Sequence, residues 1–260
     1  MSDGIYSALS GAIAQERNLS VVANNVANAN TTGFKGDRTV FNEVLTGVQN
    51  PAPLRPSLRY ASVADVQIDH QVGHLRLTGR QLDLALQGDG FFVVETPKGE
   101  RFTRSGSFVV DQNGVLRTLA GHRVMMENGP VTQRGREIKL PEDAREVQVS
   151  PDGTIRTFAA QNVVNQEEIG KLKLVRFANP RDELIKDGLT WFNTQNNAVP
   201  APADATTTVE QGWLEDANIN AVSGMNEMII VTRSFEALVK VIETFRDLDN
   251  RTARDVGGRA

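Results

Sequence analysis

The chain has 260 residues, of which 40 % are hydrophobic and 23 % are charged, within the normal range for a folded globular protein. It carries 28 Lys and Arg against 32 Asp and Glu. A net charge of -4 argues against a nucleic-acid partner and against a polybasic membrane anchor, because both need a basic patch. The chain has no cysteine, which excludes disulfides, thiolate nucleophiles and Cys-ligated zinc.

No apolar run approaches the roughly 20 residues of a membrane helix, so membrane insertion is not expected. Residues 1–9 lack the basic start and the apolar block of a secretory signal peptide. If the protein leaves the cytoplasm, we therefore expect it to use a route without a cleavable signal.

The N-terminal segment has the periodicity of a helix. Over residues 5–28 there is no proline, and Ile5, Ala12, Leu19 and Val26 are each seven residues apart. This spacing predicts an amphipathic helix of the coiled-coil type. The helix is expected to end before Gly33.

The C-terminal segment shows the same periodicity. Residues 221–250 contain no proline. Steps of three and four residues connect Met225, Met228, Thr232, Phe235, Val239, Ile242 and Arg246. A helix of about 29 residues would be ~43 Å long, too long to be hidden against a small domain.

The middle of the chain has the pattern of β-strands. Apolar and polar residues alternate over 66–86, with a change of phase at Gly73 that predicts a bulge or bend. Residues 91–94 are all apolar and predict a central strand, while Asn113-Gly114 is the signal of a type I′ hairpin. His122 falls in a predicted turn. These closely spaced strands predict an all-β domain of the sandwich or barrel-like type.

The sequence thus predicts an α+β chain in which a central β domain is inserted between two terminal helices. The predicted boundaries are 1–46 for the N-terminal helical segment, 47–62 for a Pro-containing linker, 63–192 for the β domain, 193–211 for a second linker and 212–260 for the C-terminal helical segment. The two helices are expected to pair as a coiled-coil-like assembly domain that is discontinuous in sequence.

No group of residues predicts chemistry. His70 and His74 have the i,i+4 spacing of zinc ligands on a helix, but they lie in a predicted strand region interrupted by Gly73. Solvated side chains near strand ends are the preferred interpretation. The sequence also lacks a G-x-S-x-G nucleophile motif and a phosphate-binding loop. We therefore predict no catalytic, cofactor-binding or metal-binding residues, and we expect a protein that is not an enzyme.

Asn24, Asn25, Asn28 and Asn30 crowd the end of the first helix, although asparagine is a poor helix former. Two interpretations remain open. The side chains could cap a fraying helix end, or their amides could bond across a helix–helix contact and fix its register.

These residues belong to the first of several segments that resemble the bacterial flagellar rod and hook proteins. The similar segments are 22–35, 82–92, 102–108, 212–220 and 228–240, in the same order as in that family. Within the family, the short stretch between Phe34 and Gly88 is most similar to the proximal rod type. Thr232 stands where the family usually has glutamine, and Trp213 where a small or β-branched residue is usual.

The resemblance implies a structural subunit that is exported unfolded by the flagellar type III apparatus and polymerises as a helical tube across the periplasm. The tube would transmit motor torque and conduct export. The implied partners are other copies of the chain, other rod proteins and the export apparatus. The expected assembly interface consists of Ile5, Leu9, Ala12, Leu19, Val22, Asn24, Asn25, Val26, Asn28, Met225, Met228, Ile229, Phe235, Val239, Ile242 and Phe245. A distal rod or hook subunit, and a secreted β-rich binding module with helical oligomerisation ends, are the alternatives.

Overall fold

The computed structural model describes residues 2–46, 58–127, 137–141, 144–159, 166–196, 198–204 and 206–257. The chain divides into two compact units. Unit 1 comprises Met1–Ala27, Asp37–Gln67 and Asn220–Ala260, and unit 2 comprises Asn28–Gly36 and Ile68–Ile219. The described elements, in chain order, are α1 (Ser2–Ala27), β1 (Asp37–Thr46), β2 (Leu58–Ile68), β3 (Leu75–Leu77), β4 (Leu84–Gln87), β5 (Phe91–Thr96), β6 (Gly99–Thr103), β7 (Phe108–Val110), β8 (Leu116–Thr118), β9 (Arg123–Val124), β10 (Ala144–Val149), β11 (Thr154–Ala159), β12 (Gln166–Lys171), β13 (Leu174–Arg176), α2 (Pro180–Glu183), β14 (Leu184–Lys186), β15 (Trp191–Thr194), β16 (Ala201–Pro202), β17 (Thr208–Gln211), β18 (Trp213–Glu215) and α3 (Ala221–Gly257).

In unit 1 the helices α1 and α3 pack against each other in antiparallel directions. Gly4 lies beside the ring of Phe245 and Gly11 beside the side chain of Leu238, while Gly224 near the start of α3 lies beside Val26 at the end of α1. Glycine at these positions leaves room for the larger side chain of the opposite helix. The α3 helix has 37 residues, which is longer than the sequence predicts and corresponds to ~55 Å at 1.5 Å per residue.

The first helix also packs on the two-stranded sheet formed by β1 and β2. Ala14 is buried on the side of α1 away from Ala12. Asn18 accepts a hydrogen bond from the Thr39 hydroxyl at 2.8 Å. The helix α1 therefore has two packed faces within its own unit, one toward α3 and one toward β1.

Unit 2 is built from antiparallel strands. Its largest sheet has nine strands, seven of them in the order β14-β15-β6-β5-β9-β8-β7, with β13 and β16 off this path. Separate sheets pair β10-β11-β12, β4 with β17, and β3 with β18. The predicted central strand is confirmed as β5, in which Phe91, Phe92, Val93 and Val94 are all buried. One apolar cluster contains Phe92 and Phe108, and a second contains Phe91 and Phe192.

The predicted hairpin is present, but its turn differs. Strands β7 and β8 are joined by a loop in which the Asp111 carboxylate accepts hydrogen bonds from the backbone N–H groups of Asn113 and Val115, each at 2.9 Å. Gly114 has φ 77°, whereas Asn113 does not have a positive φ. A type I′ turn needs positive φ at both central residues, so the turn prediction is wrong because an aspartate side chain organises the loop instead.

The coarser fold prediction, terminal helices around a β-rich centre in an α+β chain, is confirmed. Coiled-coil geometry and sandwich or barrel-like closure stay predictions. Several predicted boundaries differ from the structure. Residues 28–36, predicted with the N-terminal helix, belong to unit 2, and so do residues 212–219, predicted with the C-terminal one.

The linker predictions are wrong where strands form. Residues 58–62 lie in β2, and the predicted linker 193–211 contains β16, β17 and the end of β15. Proline is compatible with β16, which has one partner strand, because proline lacks a backbone N–H and the free edge of a strand requires no donor. Residues 47–57 of the first predicted linker lie outside the described residues.

Candidate functional site

The predicted interface residues fall into three classes of exposure. Those buried within the chain are Ala12, Val22, Asn25 and Asn28. Those half-buried are Ile5, Leu19, Val26, Met228, Phe235, Val239, Ile242 and Phe245. Those exposed are Leu9, Asn24, Met225 and Ile229. Only the exposed class, together with the open sides of the half-buried class, can contact another molecule.

Additional exposed apolar residues on the helices were not predicted as interface. On α1, Tyr6 and Ile13 flank Leu9 at helical spacing, and the three side chains are 57 %, 56 % and 44 % exposed. On α3, the exposed set adds Val222, Ile230, Val241 and Leu248. At 100° per residue, Val222 belongs to the stripe of Met225 and Ile229, and the other three form a second stripe on the opposite flank of the packed face. The sequence does contain a signal for these residues, because they are apolar and fall outside the single heptad pattern from which the interface was predicted.

The asparagine residues act within the chain. Asn25 is buried, accepts a hydrogen bond from the Asp37 N–H at 2.9 Å and donates one to the Asp37 carbonyl at 2.8 Å. Asn28 accepts a hydrogen bond from the Thr31 hydroxyl at 3.3 Å. For Asn25 the interpretation of a bond across a helix–helix contact is wrong, because both atoms of its amide bond to Asp37 and fix the start of β1. The side-chain oxygen of Asn28 closes the turn after α1.

Unit 2 contains a buried charge cluster that the sequence did not predict. Lys35, Arg104 and Glu215, which we call the junction cluster, are each at most 2 % exposed. The Lys35 amine donates to Glu215 Oε1 at 2.5 Å and to the Gln71 carbonyl at 2.6 Å. The Arg104 guanidinium lies 3.5 Å from Glu215 Oε2 and donates to the Gly88 carbonyl at 2.8 Å. One carboxylate is thus shared by two cations.

Burial dominates the electrostatics of this cluster. It lowers the pKa of the Lys35 amine, against the opposing attraction of Glu215. Burial also lowers the pKa of the Arg104 guanidinium, and the guanidinium carbon lies 5.2 Å from the centre of the Phe91 ring. Removing charged groups from water is unfavourable unless each is paired, so Glu215 is the residue that makes both buried cations tolerable.

The junction cluster joins the two segments that connect unit 2 to the rest of the chain. The Gly33 N–H donates to the Glu215 carbonyl at 2.8 Å, and the Gly36 N–H donates to the Asn218 side chain at 2.7 Å. The Gly73 N–H donates to Glu215 Oε1 at 2.9 Å, and a Cβ at Gly73 would lie 2.0 Å from the Asp216 carbonyl oxygen. The residues after α1 and those before α3 are therefore held side by side. At Gly73, where the sequence predicts a bulge or bend, the backbone passes close to the backbone of Asp216.

His70 lies beside the junction cluster, and its predicted solvation is wrong. Its ring packs near Phe91 and Phe192, with centroid distances of 6.3 and 5.8 Å. Burial, with smaller contributions from Lys35 and Arg104, lowers the pKa of His70 to about 4. His74 is exposed. His122 packs against Trp191 with a centroid distance of 5.1 Å.

The described residues contain no group of three or more His, Asp or Glu side chains placed to hold a metal ion. A groove of about 480 Å³ is lined by residues that include Glu127, Asp152, Lys171 and Asp204. Lys171 is paired with Glu127 at 3.1 Å, and the Asp152 carboxylate accepts a hydrogen bond from the Thr154 hydroxyl at 2.7 Å.

No helix in the described part of the chain is both long and apolar enough to cross a membrane.

Comparison with known proteins decides the family. Residues 5–35 match the family described as "Flagella basal body rod protein", residues 85–157 match "Flagellar hook protein FlgE/F/G D1 domain", and residues 210–255 match "Flagellar basal body rod FlgEFG protein C-terminal". The chain is 34 % identical, over 95 % of both chains, to the flagellar basal-body rod protein FlgF of Escherichia coli (strain K12). The chain belongs to the flagellar basal-body rod protein family.

Other members of the rod family are similarly related. The flagellar basal-body rod protein FlgG of Bacillus subtilis (strain 168) is 31 % identical over 94 % of this chain and 95 % of its own. The FlgF protein of Mesorhizobium japonicum is 28 % identical over the full length of both chains. The junction cluster draws one residue from each of the three matched segments: Lys35, Arg104 and Glu215. The motifs that carry the resemblance to the rod family therefore meet at one buried site.

Proposed function

We propose that this protein is a structural subunit of the proximal part of the flagellar basal-body rod and that it assembles through the outward faces of α1 and α3. The observation that carries the proposal is the apolar surface left exposed on both helices after they have packed against each other. Tyr6, Leu9 and Ile13 form one such stripe, and Met225 and Ile229 belong to another. Large contiguous apolar surfaces on a folded chain mark interaction sites.

The partners of these stripes are, in this proposal, other copies of the chain and other rod proteins. A subunit with apolar stripes on more than one side of its helix pair can contact more than one neighbour, as a helical tube requires. In this proposal the subunit lies in the periplasmic rod, is exported through the type III apparatus without a cleavable signal, transmits torque and conducts export. Membership of the rod family supports these parts of the proposal. Coiled-coil geometry within the helix pair is part of the same proposal.

The half-buried residues are poor choices for testing assembly, since Leu19 and Ile242 are partly covered within the chain and an aspartate there would also disturb the subunit. Ile229→Asp is better placed because Ile229 is 51 % exposed on α3. The matched control is Asn226→Asp, which adds the same charge at an exposed position one turn away. Each variant is expressed in a strain that lacks the protein.

We expect Ile229→Asp to abolish swimming and to leave rods absent from isolated basal bodies, while Asn226→Asp swims normally. Circular dichroism of the purified variants should show the same helix content as the wild type. Normal swimming and normal rods with Ile229→Asp, Ile13→Asp and Met225→Asp would refute assembly through these stripes. Cross-linking to rod neighbours distinguishes a proximal position from a distal rod or hook position.

A further inference from the structure

The imidazole of His70 is enclosed by unit 2 without a polar partner. Both ring nitrogens are shielded from solvent, and neither has a hydrogen-bond partner among the described residues. The ring lies edge-on to Phe91 of β5 and tilted against Phe192 of β15. A neutral imidazole fits this aromatic surrounding, whereas an imidazolium ion would place two charged N–H donors where nothing accepts them.

The backbone on both sides of His70 holds the two connecting segments. The Asp69 N–H donates to the Gly36 carbonyl at 2.8 Å, and the Asp69 carbonyl accepts a hydrogen bond from the Asn218 side chain, also at 2.8 Å. The Gln71 carbonyl accepts the Lys35 amine at 2.6 Å. Residues 69–71 thus bridge the segment that follows α1 and the segment that precedes α3. A displacement of His70 would act directly on these bonds.

The charges that face His70 are mostly positive. Lys35 and Arg104 of the junction cluster and Arg181 of α2 disfavour a further positive charge at the ring, and only Asp69, in its own segment, favours one. The single carboxylate of Glu215 already serves both Lys35 and Arg104. The rings of Phe91 and Phe192 carry no charge that could compensate.

We infer that His70 is an acid-sensitive switch at this junction: its protonation expels the ring from its packing against Phe91 and Phe192, and this displaces the 69–71 bridge that holds both connecting segments. At neutral pH the ring is neutral and the bridge is closed. In acid the bridge opens, and the Gly36 carbonyl and the Asn218 side chain lose their hydrogen bonds to Asp69. This inference concerns the single chain and does not depend on rod assembly.

The direction of the pH effect follows from the lowered pKa. An ordinary histidine in the unfolded chain takes up its proton near pH 6.5, whereas folded His70 takes it up only near pH 4. Stability contributed by the neutral ring is therefore complete above pH 6.5 and is lost as the pH falls from 6.5 to 4. Between pH 7 and pH 4, His70 alone should lower the folding equilibrium constant on the order of 100-fold.

The test compares purified wild type with His70→Phe, which keeps an aromatic ring but cannot be protonated. Urea unfolding is measured from pH 7 to pH 4, and hydrogen exchange of the Asp69 amide is measured at pH 4 for both proteins. We expect the folding equilibrium constant of the wild type to fall about 100-fold more, between pH 7 and pH 4, than that of the variant. We also expect the Asp69 amide to be protected in the variant and exposed in the wild type. His74→Asn, which changes an exposed histidine four residues away, should behave as the wild type.

Equal losses in wild type and His70→Phe would overturn the inference. If His70→Phe does not fold at pH 7, the proton uptake of His70 is followed directly by NMR in the wild type. A ring that stays neutral until about pH 4 and whose protonation coincides with exchange of the Asp69 amide supports the switch. A ring that becomes protonated near pH 6.5 in the folded chain refutes it.

Discussion

Replacing Glu215 by glutamine removes the carboxylate that pairs with both buried cations, Lys35 and Arg104. The glutamine amide has nearly the same shape, but it carries no charge and turns an N–H donor toward either Lys35 or Arg104. Removing one partner of a buried ion pair costs about 3–5 kcal/mol, because the remaining charge is left uncompensated. The Gly73 N–H, which donates to the same carboxylate at 2.9 Å, keeps at best a weaker neutral acceptor. We therefore expect a loss toward the upper part of that range.

Tryptophan fluorescence reports this loss from unit 2 alone, because both tryptophans of the chain, Trp191 and Trp213, lie in that unit. At about 2–4 °C per kcal/mol for a unit of this size, Glu215→Gln should lower the Tm of the fluorescence transition by roughly 10 °C or more. The matched control is Asp216→Asn. The neighbouring Asp216 carboxylate pairs with Arg76 at 3.1 Å, but both side chains are substantially exposed.

An exposed ion pair contributes at most about 1 kcal/mol, so Asp216→Asn should shift the Tm by only a few degrees. If the two variants have the same Tm within error, the assignment of Glu215 as the compensating charge of the junction cluster is refuted. A drop for Glu215→Gln that is rescued by Lys35→Met in the double variant would show that an unpaired Lys35 causes the loss.

Two further substitutions test the local geometry. Asn25→Ala leaves the partly buried N–H and carbonyl of Asp37 without their side-chain partner, so it should destabilise unit 1 by about 1–3 kcal/mol in thermal melts followed by circular dichroism at 222 nm. Asn24→Ala, at an exposed position on the same helix, should reduce the stability of unit 1 much less. Equal losses of stability in the two variants would contradict the role given to Asn25. Gly106→Ala would place a Cβ 1.7 Å from the Leu84 carbonyl oxygen, so that backbone must move. We expect a loss of about 1–3 kcal/mol in the fluorescence melt, and an unchanged melt would show that the loop adapts freely.

The features that could be predicted from the sequence are those set by local periodicity. The seven-residue spacing from Ile5 to Val26 predicts α1, and the all-apolar run at β5 predicts a strand that is buried on both faces. For α1 the spacing of the apolar residues is enough to choose the element, because a helix repeats every 3.6 residues. For β5 the choice rests on the short length of the run and its aromatic and β-branched residues. Neither prediction requires knowledge of the helix or strands against which the element packs.

The features that could not be predicted depend on distant parts of the chain. Lys35 and Glu215 are 180 residues apart, and charged residues are normally read as solvated, so nothing in either neighbourhood indicates a buried pair. Strands β16 and β17 have the composition of a linker and become strands only because β13 and β4 supply their hydrogen bonds. The ring nitrogens of His70 are shielded from solvent for the same reason, since its aromatic neighbours come from β5 and β15.

A buried ion cluster is a poor source of stability, since well-packed apolar residues of similar volume are often as stable. The contribution of the cluster is to fix the pairing register of the strands that carry it. Glu215 ends β18, where Trp213, Leu214 and Glu215 pair with Leu77, Arg76 and Leu75 of β3. A slip of one residue that brought Leu214 to the two cations would leave both without a carboxylate, and the cost of unpaired buried charges would oppose it. The residue at which the chain leaves unit 2 toward α3 is thereby fixed.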